Sequence, residues 1–252
     1  MADLELVAAG SGFLALREQV LELAQLSRHA TVVDVGAGAG LLTLAAAPHV
    51  RHVYALDSSE SMHEHLERKL QTAGVGNAEA LLGDATQLPL ADCSVDAVVS
   101  NYCFHHLDDD EKARAVVEAM RVLRPGGRFV FADMMFRVGI VRRRDRAVLA
   151  RFARQMFARG PSGVVRLLSN VGRVLSGRGE QPASVEWWRD ALHSAGFVEV
   201  RVTALDHEGG VAHARKRSAP CAQATHTLRA SEAHGVSETT LASNVSAFSP
   251  LG

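Results

Sequence analysis

The chain has 252 residues, a formal net charge of -1 and 47% apolar residues. At about 150 residues per domain this length reads as one elaborated domain, and a chain of that size buries roughly 70% of its unfolded surface without disulfide or metal staples. The charge balance excludes an all-over nucleic-acid-binding surface, and 21 Gly with 7 Pro exclude collagen-like or globally disordered chains.

In chain order, residues 1–29 read as an N-terminal helical segment, with Phe13, Leu14, Val20, Leu21, Leu23 and Leu26 at a roughly helical period. From residue 30 short β-rich runs alternate with helical patterns, the signature of βαβ units and a parallel sheet. Thr31–Val35 is the first predicted strand, followed by the run Gly36-Ala37-Gly38-Ala39-Gly40. Leu41–Ala47 reads as a buried helix ended by Pro48. His52–Leu56 is the second strand, closing on Asp57, and Ser58 or Ser59 is expected to cap a helix that Gly74 terminates. Ala78–Leu82 and Asp96–Ser100 are the third and fourth strands. The acidic cluster Asp108-Asp109-Asp110 opens a helix at its positive end. That helix stops at Arg124-Pro125-Gly126-Gly127, and Arg128–Ala132 is the fifth strand.

The composition then changes. Residues 137–178 hold eleven Arg against one acid, Asp145, so this segment carries a net +10 and the remainder about -11. Apolar spacing marks two amphipathic helices in it. Trp187–Ala195 reads as another helix, stopped by Gly196. Phe197–Leu205 and Gly210–Lys216 read as a β-hairpin turned at Gly209-Gly210. From Arg217 the chain is Ser, Thr and Ala without apolar period, and 217–252 is expected to be a disordered tail. The longest uncharged run, 35–50, is broken by Gly and Pro and too short to span a bilayer. Asp3 and Glu5 stand where an export signal carries positive charge. Cys93, Cys103 and Cys221 read as free thiols in a reducing compartment, so a cytoplasmic location is expected.

A glycine-rich turn between a strand and a helix brings backbone N–H groups to an anion or carboxylate, although such turns also arise for steric reasons alone. The spacing here is G-x-G-x-G, which matches the G-x-G-x-x-G of dinucleotide-binding proteins poorly. Acidic residues mark three successive strand regions: Asp34 within the first, Asp57 after the second, Asp84 after the third. In an open α/β sheet those carboxyl ends meet at one crevice.

Over residues 30–216 the chain resembles the class I S-adenosylmethionine-dependent methyltransferases. The resemblance rests on blocks in the family's order: 32–40 around the glycine run, 55–62, 83–90, 96–101, 121–127 and Ala195-Gly196-Phe197. It is nearest the small-molecule, quinone-biosynthesis-type branch. It implies a doubly wound, mostly parallel seven-stranded α/β sheet (Rossmann-like), with a C-terminal β-hairpin and a helical lid insertion at 137–185. S-adenosyl-L-methionine is the implied cofactor. Its implied contacts are Asp34 with Gly36, Ala37, Gly38, Ala39 and Gly40 at the methionine part, Asp57 and Ser58 at the ribose, Met62 on the adenine face, Asp84 and Ala85 at the adenine edge, and Asn101 near the amino group and sulfonium. Ala39 departs from the Thr or Ser often found there, which leaves only backbone contact at that position.

The implied reaction is methyl transfer to a small-molecule acceptor at oxygen, carbon or nitrogen, by in-line displacement. Acceptor-side candidates are His105 and His106, after the fourth strand, and His207 beside the hairpin turn. Cys103-x-His105-His106 invites a metal, but adjacent His residues do not share one face and no fourth ligand is evident, so no metal is expected. Asn101 lacks the Pro-Pro-aromatic run of base methylases, so nucleic acid is not an expected partner. The arginines of the lid read either as a solvated face or as an attractor of an acidic substrate, a carrier protein or an anionic membrane. Two competing functions remain: a cofactor-binding protein of this fold without methyl transfer (a cyclase or regulator), and a nicotinamide-dependent oxidoreductase. The second calls for Tyr-x-x-x-Lys, and neither Tyr54 nor Tyr102 has Lys four residues on.

Overall fold

The computed structural model describes residues 11–136, 181–205 and 208–218. Most of the expected lid, His207 and nearly all of the expected tail lie outside the described residues. Strand β1 (Thr31–Val35) is buried at every position, as a central parallel strand covered on both faces must be. It pairs in parallel with β2 (His52–Asp57) on one side and β4 (Val95–Asn101) on the other. Strand β3 (Ala78–Leu82) extends the sheet beyond β2 and β5 (Leu123–Met134) beyond β4, both parallel. Strands β6 (Val198–Ala204) and β7 (Gly209–Arg215) form an antiparallel pair, with β7 seated between β5 and β6. The order is β3-β2-β1-β4-β5-β7-β6, the mostly parallel seven-stranded α/β sheet with a terminal hairpin that the sequence leads one to expect.

Side chains alternate across the sheet and fill two cores. Val33, Val35, Val98, Phe129 and Phe131 face one side, where they meet α4 (Asp109–Val122) and α5 (Val185–Ser194). Val32, Val99, Val130 and Ala132 face the other. There they meet α1 (Ser11–Ala24), through Leu16, Val20 and Ala24, and α2 (Leu41–Ala46). Helix α3 (Glu60–Thr72) covers β2 with Leu66 and Leu70. A capping box between Asp108 and Glu111 starts α4, satisfying two backbone donors at once. Trp188 is 1% exposed and packs between Phe104 and Phe131, whereas Trp187 is half-buried with the Lys112 ammonium 5.9 Å from its ring centroid.

Three local expectations change. Ser59 occupies the N-cap of α3, but its hydroxyl makes no cap bond; its backbone N–H donates to Asp57 instead. Gly209 and Gly210 are not the hairpin turn. They pair with Met134 and Asp133 inside β7. A Cβ on Gly210 would lie 2.6 Å from Met135 Sδ and 2.8 Å from the Thr203 carbonyl oxygen, so close strand approach excludes a side chain there. The third correction concerns the thiols: Cys103 is free, but Cys93 is disulfide-bonded.

Because that crowding involves backbone, Gly210→Val is expected to lower stability by about 1–3 kcal/mol. Urea denaturation followed by circular dichroism checks this; an unchanged midpoint would contradict the tight packing of β7 on β6.

Candidate functional site

The parallel pairing aligns the carboxyl ends of β1 to β5 along one edge, and the expected site residues collect there. Asp57 ends β2 in register with Leu82, and Asn101 ends β4 in register with Ala132 of β5. The glycine loop leaves β1 on this edge. Gly36 and Ala37 both donate their N–H groups to the Leu56 carbonyl, 2.8 and 2.9 Å away, which anchors the loop on β2. Gly38 donates to Asp57 Oδ2 at 2.8 Å, and Ser59 donates to Asp57 Oδ1 at 2.9 Å. One carboxylate thus ties the loop to the start of α3. A carboxylate has about four acceptor positions, so each oxygen of Asp57 keeps capacity for a further donor.

The three loop glycines have different reasons to be glycine. A Cβ on Gly36 would collide with the Cys103 sulfur, and one on Gly40 with Leu66, so these two serve close packing. At Gly38 the nearest atom to such a Cβ is the Gly36 carbonyl oxygen, 4.0 Å away. Gly38 has φ +49°, and among the described residues the space before it is open. The steric explanation of glycine turns therefore covers two positions and leaves the third facing room for a ligand.

Asp34 has the same parity as Val32 along β1 and so points toward α2. Its Oδ2 accepts from the Thr43 hydroxyl at 2.6 Å, and the residue is 1% exposed. Burial pushes its carboxyl up to about 7 against the opposing pull of the Thr43 bonds, with a smaller upward push from Asp57. Ser100 fastens β4 to the loop's root by donating to the Val35 carbonyl at 2.7 Å. Ala39 presents its carbonyl to the Lys69 ammonium at 2.8 Å.

On the far side of Asp57, Met62 is half-buried in the first turn of α3. Ser58 and Asp84 are exposed, Asp84 Oδ1 accepts from the Thr86 N–H at 2.7 Å, and Ala85 is buried beside it. At the centre of the edge Asn101 is 7% exposed, yet neither its Oδ1 nor its Nδ2 has a hydrogen-bond partner. A buried amide without partners forfeits about 1–3 kcal/mol. Its position among the glycine loop, Asp57 and β4 makes it an unfilled contact for a polar ligand.

The chain turns sharply after Asn101, with Tyr102 at φ +59°, a conformation that costs a bulky residue energy and marks functional loops. The Tyr102 ring stacks on Phe13 of α1, with centroids 5.6 Å apart, and meets His105 edge-on at 6.0 Å. Burial, Glu208 and Asp133 push its phenol well above the ordinary range. The Cys103 thiol is likewise pushed up, by burial first and then by nearby carboxylates, which makes it unreactive.

The two adjacent histidines separate. His106 is exposed, while His105 is 5% exposed with Nδ1 2.7 Å from Asp133 Oδ1. Asp133 escaped the sequence reading, although the rule that found Asp57 and Asp84, an acid closing a parallel strand, applies equally to the end of β5. The Gln181 N–H also donates to the His105 carbonyl here, at 2.7 Å.

An open, mostly parallel sheet with a glycine loop after β1 and a carboxylate closing β2 defines a nucleoside-binding α/β protein. Residues 33–131 match the family model of the methyltransferase domain. That stretch, about two fifths of the chain, is similar to the methyltransferase domain, and the likeness supports S-adenosyl-L-methionine as the cofactor. Among curated relatives, an uncharacterized methyltransferase of Geobacillus sp. strain WCH70 is 34% identical over 121 residues, 48% of this chain and 54% of that protein. The chain spans about half the length of the curated relatives it matches. A S-adenosylmethionine-dependent methyltransferase structure from Aquifex aeolicus aligns with TM-score 0.57 at 23% identity, over 82% of this chain and 93% of that one. The [4+2]-cyclase SpnF aligns with TM-score 0.59 at 17% identity, over 81% of each chain. These two likenesses concern the fold alone. Among the described residues no helix is long and apolar enough to cross a membrane.

The chain's own residues fit such a cofactor: open space before Gly38, remaining acceptor capacity on Asp57, and a partnerless amide at Asn101. The buried acid beneath them gives a measurable consequence. Asp34 titrates near 7 when folded and near 3.8 when unfolded, so the folded ligand-free chain binds more protons between those values and loses stability as pH rises through them. Asp34→Asn, which keeps an acceptor for Thr43, is expected to gain about 2–3 kcal/mol relative to the parent between pH 5 and 8. Urea melts at both pH values test it; a difference that stays constant with pH would contradict the buried, uncompensated carboxyl.

Proposed function

We propose that this protein moves a methyl group from S-adenosylmethionine to a small-molecule acceptor. The buried amide of Asn101, without partners at the centre of the strand-end edge, is the observation that carries the proposal. It stands between the glycine loop on one side and His105 on the other, where a methyl donor and an acceptor would meet. The bound cofactor supplies a sulfonium whose methyl group is an electrophile.

The protein's part is to bind, orient and exclude water. In this reading the loop from Gly36 to Gly40 receives the methionine part with its backbone, and Asp34 with Thr43 holds the loop from beneath. Asp57 accepts the ribose hydroxyls with the acceptor positions that Gly38 and Ser59 leave available, and Ser58 lies beside the sugar. Met62 packs on the adenine face, while Asp84 and the Ala85 N–H meet its polar edge. Asn101 satisfies its amide on the amino group. Acceptor binding falls to the opposite side, near His105 and His106. There the Arg-rich segment 137–185 is proposed as the lid.

Calorimetry with S-adenosylmethionine tests the cofactor side. Asp57→Ala is expected to weaken binding by roughly 1.5–3 kcal/mol, the scale of lost charge-assisted hydrogen bonds; an unchanged affinity would contradict the ribose assignment. Gly38→Val is expected to abolish binding while the chain stays folded, since the added side chain fills the approach space and not the core. Normal binding by that variant would mean that the loop faces no ligand. Release of S-adenosylhomocysteine in the presence of metabolites separates methyl transfer from silent cofactor binding.

A further inference from the structure

We propose that the Glu118–Arg121 ion pair of α4 holds the loop after β3 in the shape that reads an adenine ring, and so sets the chain's choice of purine without touching the nucleoside. The proposal rests on the methyl-transfer reading above, in particular on Asp84 and Ala85 meeting the adenine edge. It adds two positioning residues that decide which base is accepted.

The loop 83–94 joins β3 to β4. At its start the Gly83 N–H reaches the Asp57 carbonyl at 3.0 Å. The next bonds are local: Thr86 donates its N–H to Asp84 Oδ1 at 2.7 Å, Gln87 to the Asp84 carbonyl at 3.1 Å and Leu90 to the Leu88 carbonyl at 2.8 Å. Bonds of that span fix the shape of a turn but not its place on the fold. The place is set from α4. Glu118 Oε2 accepts the Leu88 N–H at 2.8 Å, and Arg121 Nη2 donates to the Leu88 carbonyl at 2.9 Å. One loop residue is thus gripped at both of its backbone groups. Arg121 Nη1 goes on to the Leu90 carbonyl at 2.7 Å and to Asp92 Oδ1 at 2.8 Å. The Leu88 side chain is 4% exposed and joins the core that holds Val116 and Ala119 of the same helix.

The grip is firm because the two side chains lock each other. Arg121 meets Glu118 in a two-bond fork, Nε on Oε1 and Nη2 on Oε2, both at 2.8 Å. A planar guanidinium held at two points on a carboxylate keeps little rotational freedom. The Arg121 bonds hold the Glu118 carboxyl below its usual range and Glu118 pushes the guanidinium further up, so the pair stays ionised at neutral pH.

The consequence falls on Asp84 and Ala85, just upstream of the anchor. With Oδ1 taken by Thr86, the Asp84 carboxylate has a set orientation and retains acceptor capacity. Adenine and hypoxanthine share one shape and differ at their polar edge. Adenine offers an amino donor beside an unprotonated ring nitrogen; hypoxanthine offers a carbonyl beside a ring N–H. A carboxylate oxygen next to a backbone N–H complements the first and opposes the second, provided both stay in fixed places. Packing on Met62 does not tell the two rings apart. A loop released from α4 therefore loses discrimination, whereas a general loss of stability would weaken both bases alike.

Calorimetry on the full chain compares S-adenosylhomocysteine with S-inosylhomocysteine, in which a carbonyl replaces the amino group. The parent is expected to prefer the adenine compound about 10- to 100-fold. In Arg121→Met the preference is expected to shrink to about threefold or less, through weaker binding of the adenine compound alone. Arg121→Lys keeps the charge but has no fork and is expected to do the same, so the test does not depend on how well Arg121→Met folds. Glu118→Ala should lose the preference as well, whereas Glu118→Gln, which keeps an oxygen for the Leu88 N–H, should recover part of it. In the ligand-free Arg121 variants, amides of 85–90 are expected to exchange hydrogen at least about tenfold faster than in the parent, with β1 and β4 unchanged. A preference that survives in both Arg121 variants, an affinity that falls equally for both compounds, or unchanged exchange in the loop overturns the clamp and leaves the adenine edge standing. A parent that binds both compounds alike overturns the roles of Asp84 and Ala85 and this proposal with them. A parent that binds neither contradicts the methyl-transfer reading itself.

Discussion

The carboxylate of Asp57 joins the sheet to everything that surrounds the crevice. It closes β2, accepts from Gly38 across the loop and accepts from Ser59 at the head of α3. Without it the glycine loop would be held on β2 only by the two N–H groups on Leu56. The loop's positive φ angles carry little conformational preference of their own, since glycine populates both signs freely. A single acid therefore decides both where the loop lies and which acceptor positions face the crevice. That dual duty explains why its place is the strand's last residue: one residue earlier it would take the place of Leu56 and point into the core.

The edge divides into two chemically distinct halves. From β1 to β3 it offers backbone donors, a half-buried thioether at Met62 and carboxylates that are at least partly solvated. From β4 to β5 it offers aromatic rings and a carboxylate–imidazole pair nearly closed to water. Asn101 stands at the boundary with a buried amide that has no hydrogen-bond partner among the described residues. Electrostatics differ accordingly. Asp34, buried at the root of the loop, is held toward its neutral form, while Asp133 is surrounded by donors. The strained backbone at Tyr102 lets β4 end and the His105 turn begin within a few residues, and the stack on Phe13 braces that turn from α1.

Local signals made much of the fold legible in the sequence. The bounds of β1 and β3 follow from β-branched and apolar runs closed by Gly or Asp, and the acidic cluster at 108–110 marks the start of α4. Where distant pairing decides, the sequence reading erred. Strand β5 extends back through Pro125 to Leu123 because β4 and Lys216 hold that stretch extended. Gly209-Gly210 resembles a turn until β7 is wedged between β5 and β6. At the site, Asp57 and the glycine loop form a local pattern, but the bond between His105 and Asp133 joins residues 28 apart in sequence. It exists only because β4 and β5 are neighbours in register. Which of two adjacent histidines turns inward is likewise a tertiary outcome, with Phe104 anchoring the turn in the core between Phe129, Phe131 and Trp188.

A crystal structure of the chain grown with S-adenosylhomocysteine tests the central claim most directly. The expected density places both ribose hydroxyls on the Asp57 carboxylate, the adenine between Met62 and Asp84, and the amino group against Asn101. A nucleoside bound away from this edge, or side chains filling the space before Gly38, would contradict it.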